Sequence, residues 1–223
     1  MGSRTEEYRA VKMRETIDGL HRIFDKPPPG YTAQEKMIPI PRIGHRPADA
    51  PGLSFSQAAV LLLLYIKNGG LHLVFTRRSG QVRHHQDQIS FPGGAKEKDE
   101  ELDRTALRET REELGVRPEE VALLGKLSPL YVPPSGFCIY PFVGVALTRP
   151  HFFPSDEEVA EIIEVPIAHL LEDQTVQREE WMIRGRPVEV PFYQYEDWKI
   201  WGATAMILSE FLEMVRRTEW PLP

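Results

Sequence analysis

The stretch GGAKEKDEELDRTALRETREELGV, residues 93–116, carries more structural information than any other part of this 223-residue chain. From about position 100 to Leu114 it predicts a charged helix that stops at Gly115, because glycine readily takes the left-handed conformation that closes helices. On that helix Glu109, Glu112 and Glu113 follow an i, i+3, i+4 spacing, so their carboxylates project from one face. Glu100 lies about two and a half turns earlier, at the opening of the helix. Leu102, Ala106 and Leu114 mark a separate buried face and so set the direction of the glutamates. Like charges at these spacings repel by roughly 0.3 kcal/mol per pair. Arg104, Arg108 and Arg111 offset part of this through ion pairs. A divalent cation is a candidate for offsetting the rest, since Mg²⁺ takes carboxylate oxygens together with substrate phosphates. The tight turn Phe91-Pro92-Gly93-Gly94 just upstream can bring backbone carbonyls to the same face. The competing interpretation is a solvated helix of alternating Glu and Arg.

Working outward, residues 58–66 form a continuous apolar run that predicts a buried strand. Gly69-Gly70 reads as a turn and residues 71–76 as the returning strand of a hairpin. Residues 88–91 suggest a third short strand. Strands are expected at 121–127 and 139–147, separated by a Pro-rich loop at 129–136, followed by a short helix at 166–171. Residues 175–183 and 188–193 read as a second hairpin, and 203–216 as a closing amphipathic helix. This order of elements implies an α/β fold with a mixed sheet covered by helices on both faces. Upstream, Met13, Ile17, Leu20 and Phe24 share one face of an amphipathic helix over 6–24, stopped by Pro27-Pro28-Pro29-Gly30. Seven of the 20 prolines fall between positions 27 and 51, so this stretch should be extended, laid over the body or acting as a linker. The chain is therefore divided into an N-terminal helix and Pro-rich arm, 1–52, and a single domain, 53–223.

Composition narrows the function classes. With 33 acidic and 27 basic side chains the net charge is −6, which argues against a nucleic-acid-coating protein. The apolar run at 58–66 is far shorter than the roughly 20 residues needed to cross a bilayer. The N-terminal segment has no hydrophobic signal region, and Glu6 stands where a myristoylation signal requires Ser or Thr. Cys138 is the only cysteine, which excludes an internal disulfide and suits a reducing compartment. The expectation is a soluble cytoplasmic protein with no nucleic-acid or membrane partner. Cys138 itself, between Phe137 and Ile139, reads as a small buried side chain rather than a nucleophile. Trp181, Trp198, Trp201 and Trp220 read as core or dimer-contact residues.

The helix-and-turn segment resembles the box of the Nudix hydrolases, G-x5-E-x7-R-E-U-x-E-E-x-G-U with U a bulky apolar residue. Gly94, Glu100, Arg108, Glu109, Glu112, Glu113, Gly115 and Val116 fall on their places, while Thr110 stands where an apolar residue is usual. The resemblance implies a Nudix-type α/β/α sandwich with a mixed central sheet, binding Mg²⁺ or Mn²⁺ through its loop–helix–loop. By position Glu109 and Glu113 are the main metal ligands, Glu112 assists in binding and catalysis, and the Gly94 carbonyl is a further ligand. Arg108 orients these carboxylates and Glu100 supports the loop. The family reaction is hydrolysis of a nucleoside diphosphate linked to a further group.

The segment LVFTRRSGQVRHHQDQISFPGG, residues 73–94, resembles a motif of the Nudix subgroup that hydrolyses coenzyme A and its derivatives. Thr76, Arg78, Ser79, Arg83, His85, Gln88, Phe91, Pro92, Gly93 and Gly94 match it. Asp87 departs from the subgroup glycine, placing negative charge beside a site meant for an anion. Arg78, Arg83 and His85 are the expected substrate-binding residues, since guanidinium forks suit phosphate oxygens; ordinary strand-edge charge is the alternative. His84 should point the opposite way, toward solvent. In the later segment SDEEVAEIIEVPIAHLL, Glu158 is the expected general base or additional metal ligand, with Glu157 and Glu161 as competitors. A helix N-terminal acidic cluster is the alternative there. The resemblance thus implies cleavage of coenzyme A or acyl-CoA to 3′,5′-ADP and (acyl-)4′-phosphopantetheine, by a possible homodimer. Hydrolysis of ADP-ribose or another dinucleotide, or nucleotide sensing without catalysis, are the alternatives.

Overall fold

The computed structural model describes residues 18–41, 55–79, 88–146 and 148–218. Its central strand is β1 (Ser56–Lys67), the apolar run noted above. Leu61, Leu63 and Tyr65 face one core and Leu62 and Leu64 the other, all fully buried. A strand covered on both faces has no solvent side, hence no polar alternation. β2 (Gly70–Arg78) returns antiparallel through Asn68-Gly69, not Gly69-Gly70. Asn68 (φ 54°) and Gly69 (φ 82°) both take positive φ, as a two-residue primed turn requires.

The short strands β3 (Ile89–Ser90) and β4 (Gly93–Ala95) pair with β2 and β1 respectively. β5 (Val121–Lys126) and β6 (Leu130–Val132) are antiparallel to β7 (Phe137–Ala146), which runs parallel to β1. β8 (Val159–Pro166) completes this eight-stranded mixed sheet beside β2. The acidic segment 156–158 is thus a turn entering a strand, and the helix N-terminus considered for it is not formed. β9 (Val176–Ile183), β10 (Arg186–Tyr195) and β11 (Trp198–Trp201) make a separate three-stranded antiparallel sheet.

From residue 31 onward the α-helical segments among the described residues are α1 (Tyr31–Gln34), α2 (Leu102–Leu114), α3 (Ile167–Leu170) and α4 (Gly202–Arg216). Ala106, Leu107 and Leu114 of α2 close the core formed with Leu61, Leu63 and Tyr65. Ala205, Leu208, Phe211 and Leu212 of α4 close the other, with Leu62, Leu64 and Phe75. The result is the α/β architecture with a mixed sheet between helices that the element order implies. No helix of the described residues is long and apolar enough to cross a membrane.

Residues 18–22 are helical, with Leu20 and Ile23 in the α4-side core; the earlier part of the helix expected over 6–24 lies outside the described residues. The arm that follows is laid over the body. Fully buried Glu210 holds it, accepting hydrogen bonds from the Gly30 backbone N–H (2.9 Å), Gln34 Nε2 (2.9 Å) and the Ser128 backbone N–H (3.3 Å). A buried donor left without its acceptor costs its full desolvation penalty. Glu210→Ala should therefore lower unfolding stability by about 3 kcal/mol, read as a shifted midpoint in urea titration. An unchanged midpoint would mean the arm is not held through this carboxylate.

Candidate active site

α2 ends where its sequence directs, with Gly115 left-handed (φ 73°) and its N–H bonded to the Arg111 carbonyl at 2.8 Å. Thr110, the departure from the box pattern, is buried and donates its hydroxyl to the Ala106 carbonyl at 2.7 Å. Back-bonding of this kind lets a threonine occupy an apolar position. With that face packed, Glu109 and Glu113 are directed toward the strand β4.

The two glycines there are required by contact. A Cβ on Gly93 (φ 152°) would lie 2.3 Å from the Ala59 carbonyl oxygen. One on Gly94 would lie 2.5 Å from the Glu109 carboxyl. The bare backbone thus sits directly against the helix carboxylates, and the Gly93 N–H donates to Glu113 at 3.3 Å. Glu113 is only 5% exposed. Burial pushes its carboxyl up to about 8, opposed by the Arg78 charge and the Gly93 hydrogen bond and reinforced by Glu109 and Glu158. Glu109, half-buried, is also raised by desolvation, with Arg108 opposing and Glu112 and Glu158 adding to it.

Arg108 ties the segment together. Its Nε and Nη2 bond Glu100 at 3.0 and 3.2 Å, its Nη1 bonds Glu109 and Glu112 at 2.9 Å each, and Nη2 reaches the Ala95 carbonyl at 3.1 Å. Its pairing with Glu100 holds that carboxyl down at about 2, helped by the Thr105 hydroxyl at 2.8 Å. Of the three arginines expected to pair along the helix, only Arg108 does so with these glutamates among the described residues. It does not bond Glu113. Glu100 lies in the loop before α2, folded back toward Arg108 after Asp99 (φ 63°).

Glu158 reaches the site because its loop is pinned at both sides. The N–H groups of Phe153 and Ser155 bond the Leu114 and Glu113 carbonyls at 2.8 and 3.0 Å, satisfying orphan acceptors at the helix end. The Ser79 N–H bonds the Glu158 carbonyl at 2.9 Å. Glu158 is exposed and its charge acts on both Glu109 and Glu113. Glu161 pairs instead with Arg77 at 3.4 Å, and the Glu157 side chain is exposed. Arg83, His84, His85 and Asp87 lie outside the described residues.

Among the described residues no trio of Asp, Glu, His or Cys is already drawn together as a metal cage. Glu109 and Glu112 are instead engaged by Arg108. The donor set nevertheless fits a hard divalent cation, with four carboxylates within electrostatic reach and one of them buried with too little positive charge.

A cavity of about 380 Å³ is connected to this cluster through Arg78, whose charge acts on Glu113; the glutamates themselves do not line it. Arg78 lies in its wall, with a buried Nε that has no hydrogen-bond partner among the described residues. The remaining lining is largely apolar, including Ile38, Tyr131, Pro134, Ile139, Trp201 and Met206. The contribution of Ile38 carries no local signal in the sequence, because it depends on contacts with distant parts of the chain. Trp201 is half-buried at the cavity, Trp181 and Trp198 are half-buried, and Trp220 lies outside the described residues. Cys138 is buried, which pushes its thiol up.

The NUDIX domain pattern matches residues 56–184. The uncharacterized Nudix hydrolase NudL of Photorhabdus laumondii is 37% identical over 161 residues, 72% of this chain and 85% of that protein. NudL of Pectobacterium atrosepticum, also uncharacterized, is 39% identical over 158 residues, 69% and 80% of the two chains. Among solved structures, the Nudix hydrolase RenU of M. smegmatis shares the fold, with a TM-score of 0.52 at 17% identity. That alignment covers 75% of this chain and 89% of RenU. The chain belongs to the Nudix hydrolase family. Members generally use divalent metal ions and act on small nucleotide substrates.

Proposed function

We propose that this chain is a Mg²⁺- or Mn²⁺-dependent hydrolase of coenzyme A or acyl-CoA, releasing 3′,5′-ADP and (acyl-)4′-phosphopantetheine. The observation that carries the reading is the gathering of Glu109, Glu113 and Glu158 into one electrostatic cluster beside Arg78 and an apolar cavity. Glu109, Glu112, Glu113 and the Gly94 carbonyl would hold the ion. When bound, it supplies charge neutralisation of the diphosphate and an acidified water. Arg108 keeps Glu109 and Glu112 oriented. Glu158, exposed at the edge of the cluster, takes the proton of the attacking water as its oxygen bonds to phosphorus and the bond to the bridging oxygen breaks. Arg78, whose Nε has no hydrogen-bond partner among the described residues, donates to a diphosphate oxygen, and Arg83 and His85 of the same motif are assigned the same role. The coenzyme A assignment rests on that motif together with the apolar character of the cavity, which suits a pantetheine arm better than a second nucleotide. A homodimer in the cytoplasm is part of the same proposal.

A substrate panel in Mg²⁺ and Mn²⁺ tests it. Coenzyme A should yield 3′,5′-ADP with a kcat/KM at least about tenfold above that for ADP-ribose, a difference of roughly 1.4 kcal/mol in transition-state binding. Faster turnover of ADP-ribose would replace the substrate, and nucleotide binding without turnover would make the chain a sensor. Asp87→Gly, restoring the subgroup residue, should raise coenzyme A turnover if Asp87 repels the substrate.

A further inference from the structure

Ile38 and Pro39 lie outside the matched NUDIX segment, yet they line the cavity that holds Arg78. Both ends of this short piece are fixed. On one side Met37 is buried in the α4-side core. On the other, Ile40 exchanges two backbone hydrogen bonds with Glu189 of β10, each 2.8 Å. Upstream, the Glu210 contacts are joined by Ser209 Oγ donating to the Ala33 carbonyl (2.8 Å) and by a Lys36–Glu213 ion pair (3.0 Å). Two residues held between such anchors have little slack, because an extended residue spans only about 3.5 Å. The piece is a fixed wall.

The remaining walls decide what this wall faces. Tyr131 to Pro134 and the start of α4 present mainly aromatic, proline and aliphatic groups, Arg184 adds a second cation to the lining, and Arg78 sits where its charge reaches Glu113. A ligand spanning the cavity is anionic where it meets Arg78 and largely apolar in the part that lies along Ile38, between the two cations of the lining. We infer that Ile38 and Pro39 are specificity-determining residues that hold the uncharged arm of the substrate against the cavity. The inference rests on the proposal that Glu109, Glu113 and Glu158 mark the reaction centre, and it deepens that proposal by assigning the selecting surface to the N-terminal arm.

The test compares the wild-type chain with Ile38→Ala, which lowers the wall, and Ile38→Phe, which thickens it. Both are checked for folding by circular dichroism. Steady-state kinetics with coenzyme A, hexanoyl-CoA and decanoyl-CoA are measured in Mn²⁺. In parallel, anilinonaphthalene sulfonate binding and its displacement by decanoate are followed in metal-free buffer, so that one readout does not need turnover. Ile38→Ala should raise KM for decanoyl-CoA about fivefold with kcat nearly unchanged, and weaken dye binding by a similar factor. Ile38→Phe should shift preference toward hexanoyl-CoA. If KM values and dye affinity are the same in all three proteins, the wall assignment is overturned while the hydrolase reading stands. If the wild type cleaves no coenzyme A, the proposed substrate falls and dye binding decides the wall: weaker binding in Ile38→Ala supports it, equal binding overturns it.

Discussion

Glu113→Gln should lower kcat by roughly three orders of magnitude, because an oxygen ligand is lost at the point where diphosphate charge must be neutralised. The same change should stabilise the metal-free protein at neutral pH. Glutamine keeps the shape and an oxygen for the Gly93 N–H, but removes the burial cost of a carboxylate that is only 5% exposed. The pH dependence gives the sign. The Glu113 carboxyl rises from 4.5 to about 8 on folding, so between those values the folded chain retains a proton that the unfolded chain has released. The contribution of this group to wild-type stability is therefore full below about pH 4.5 and is lost as pH rises through 8, by roughly 5 kcal/mol in total. The variant loses the Glu113 share and should decline less steeply, with the desolvated Glu109 still contributing. Urea unfolding in chelator at about pH 5 and pH 8, together with kcat in Mn²⁺, measures both effects. Near-normal activity in the variant would place the metal elsewhere. A wild-type decline retained in the variant would assign the buried proton to another group.

The parts of this site that were legible in the sequence are those governed by spacing along one element. Glu109, Glu112 and Glu113 on a single face, the stop at Gly115 and the glycine pair before the helix need no long-range information. β8 was not legible, since the run Glu157, Glu158, Glu161 and Glu164 gives no alternation. The strand is set by pairing with β2, which buries Val159, Ile163 and Val165 while Glu161 and Glu164 find Arg77 and Arg149. The hairpin turn was displaced by one residue because Gly-Gly competes with Asn-Gly, and the register Lys67↔Gly70 decides between them. The cavity wall was illegible for the same nonlocal reason. Gly30 and Glu210 are 180 residues apart in sequence, and no local pattern announces that one holds the other.

Arg108 is where local pattern and tertiary arrangement combine, and its replacement should have the second large effect. One guanidinium serves Glu100, Glu109, Glu112 and the Ala95 carbonyl at once, a planar fork that a lysine ammonium cannot reproduce. Arg108→Lys should lower kcat about a hundredfold with KM changed little, because the loss falls on carboxylate placement rather than on substrate contact. If Arg108 works through Glu100, which fixes the guanidinium from the loop, the two changes will not add. In a double-mutant cycle, Arg108→Lys in a Glu100→Gln background should cost far less than in the wild type, with a coupling of at least about 1.4 kcal/mol in kcat/KM. Manganese affinity, read by electron paramagnetic resonance, should fall in both single variants while Glu113 remains in place. Full additivity would show that Glu100 braces the loop independently, and that Arg108 orients Glu109 and Glu112 without it.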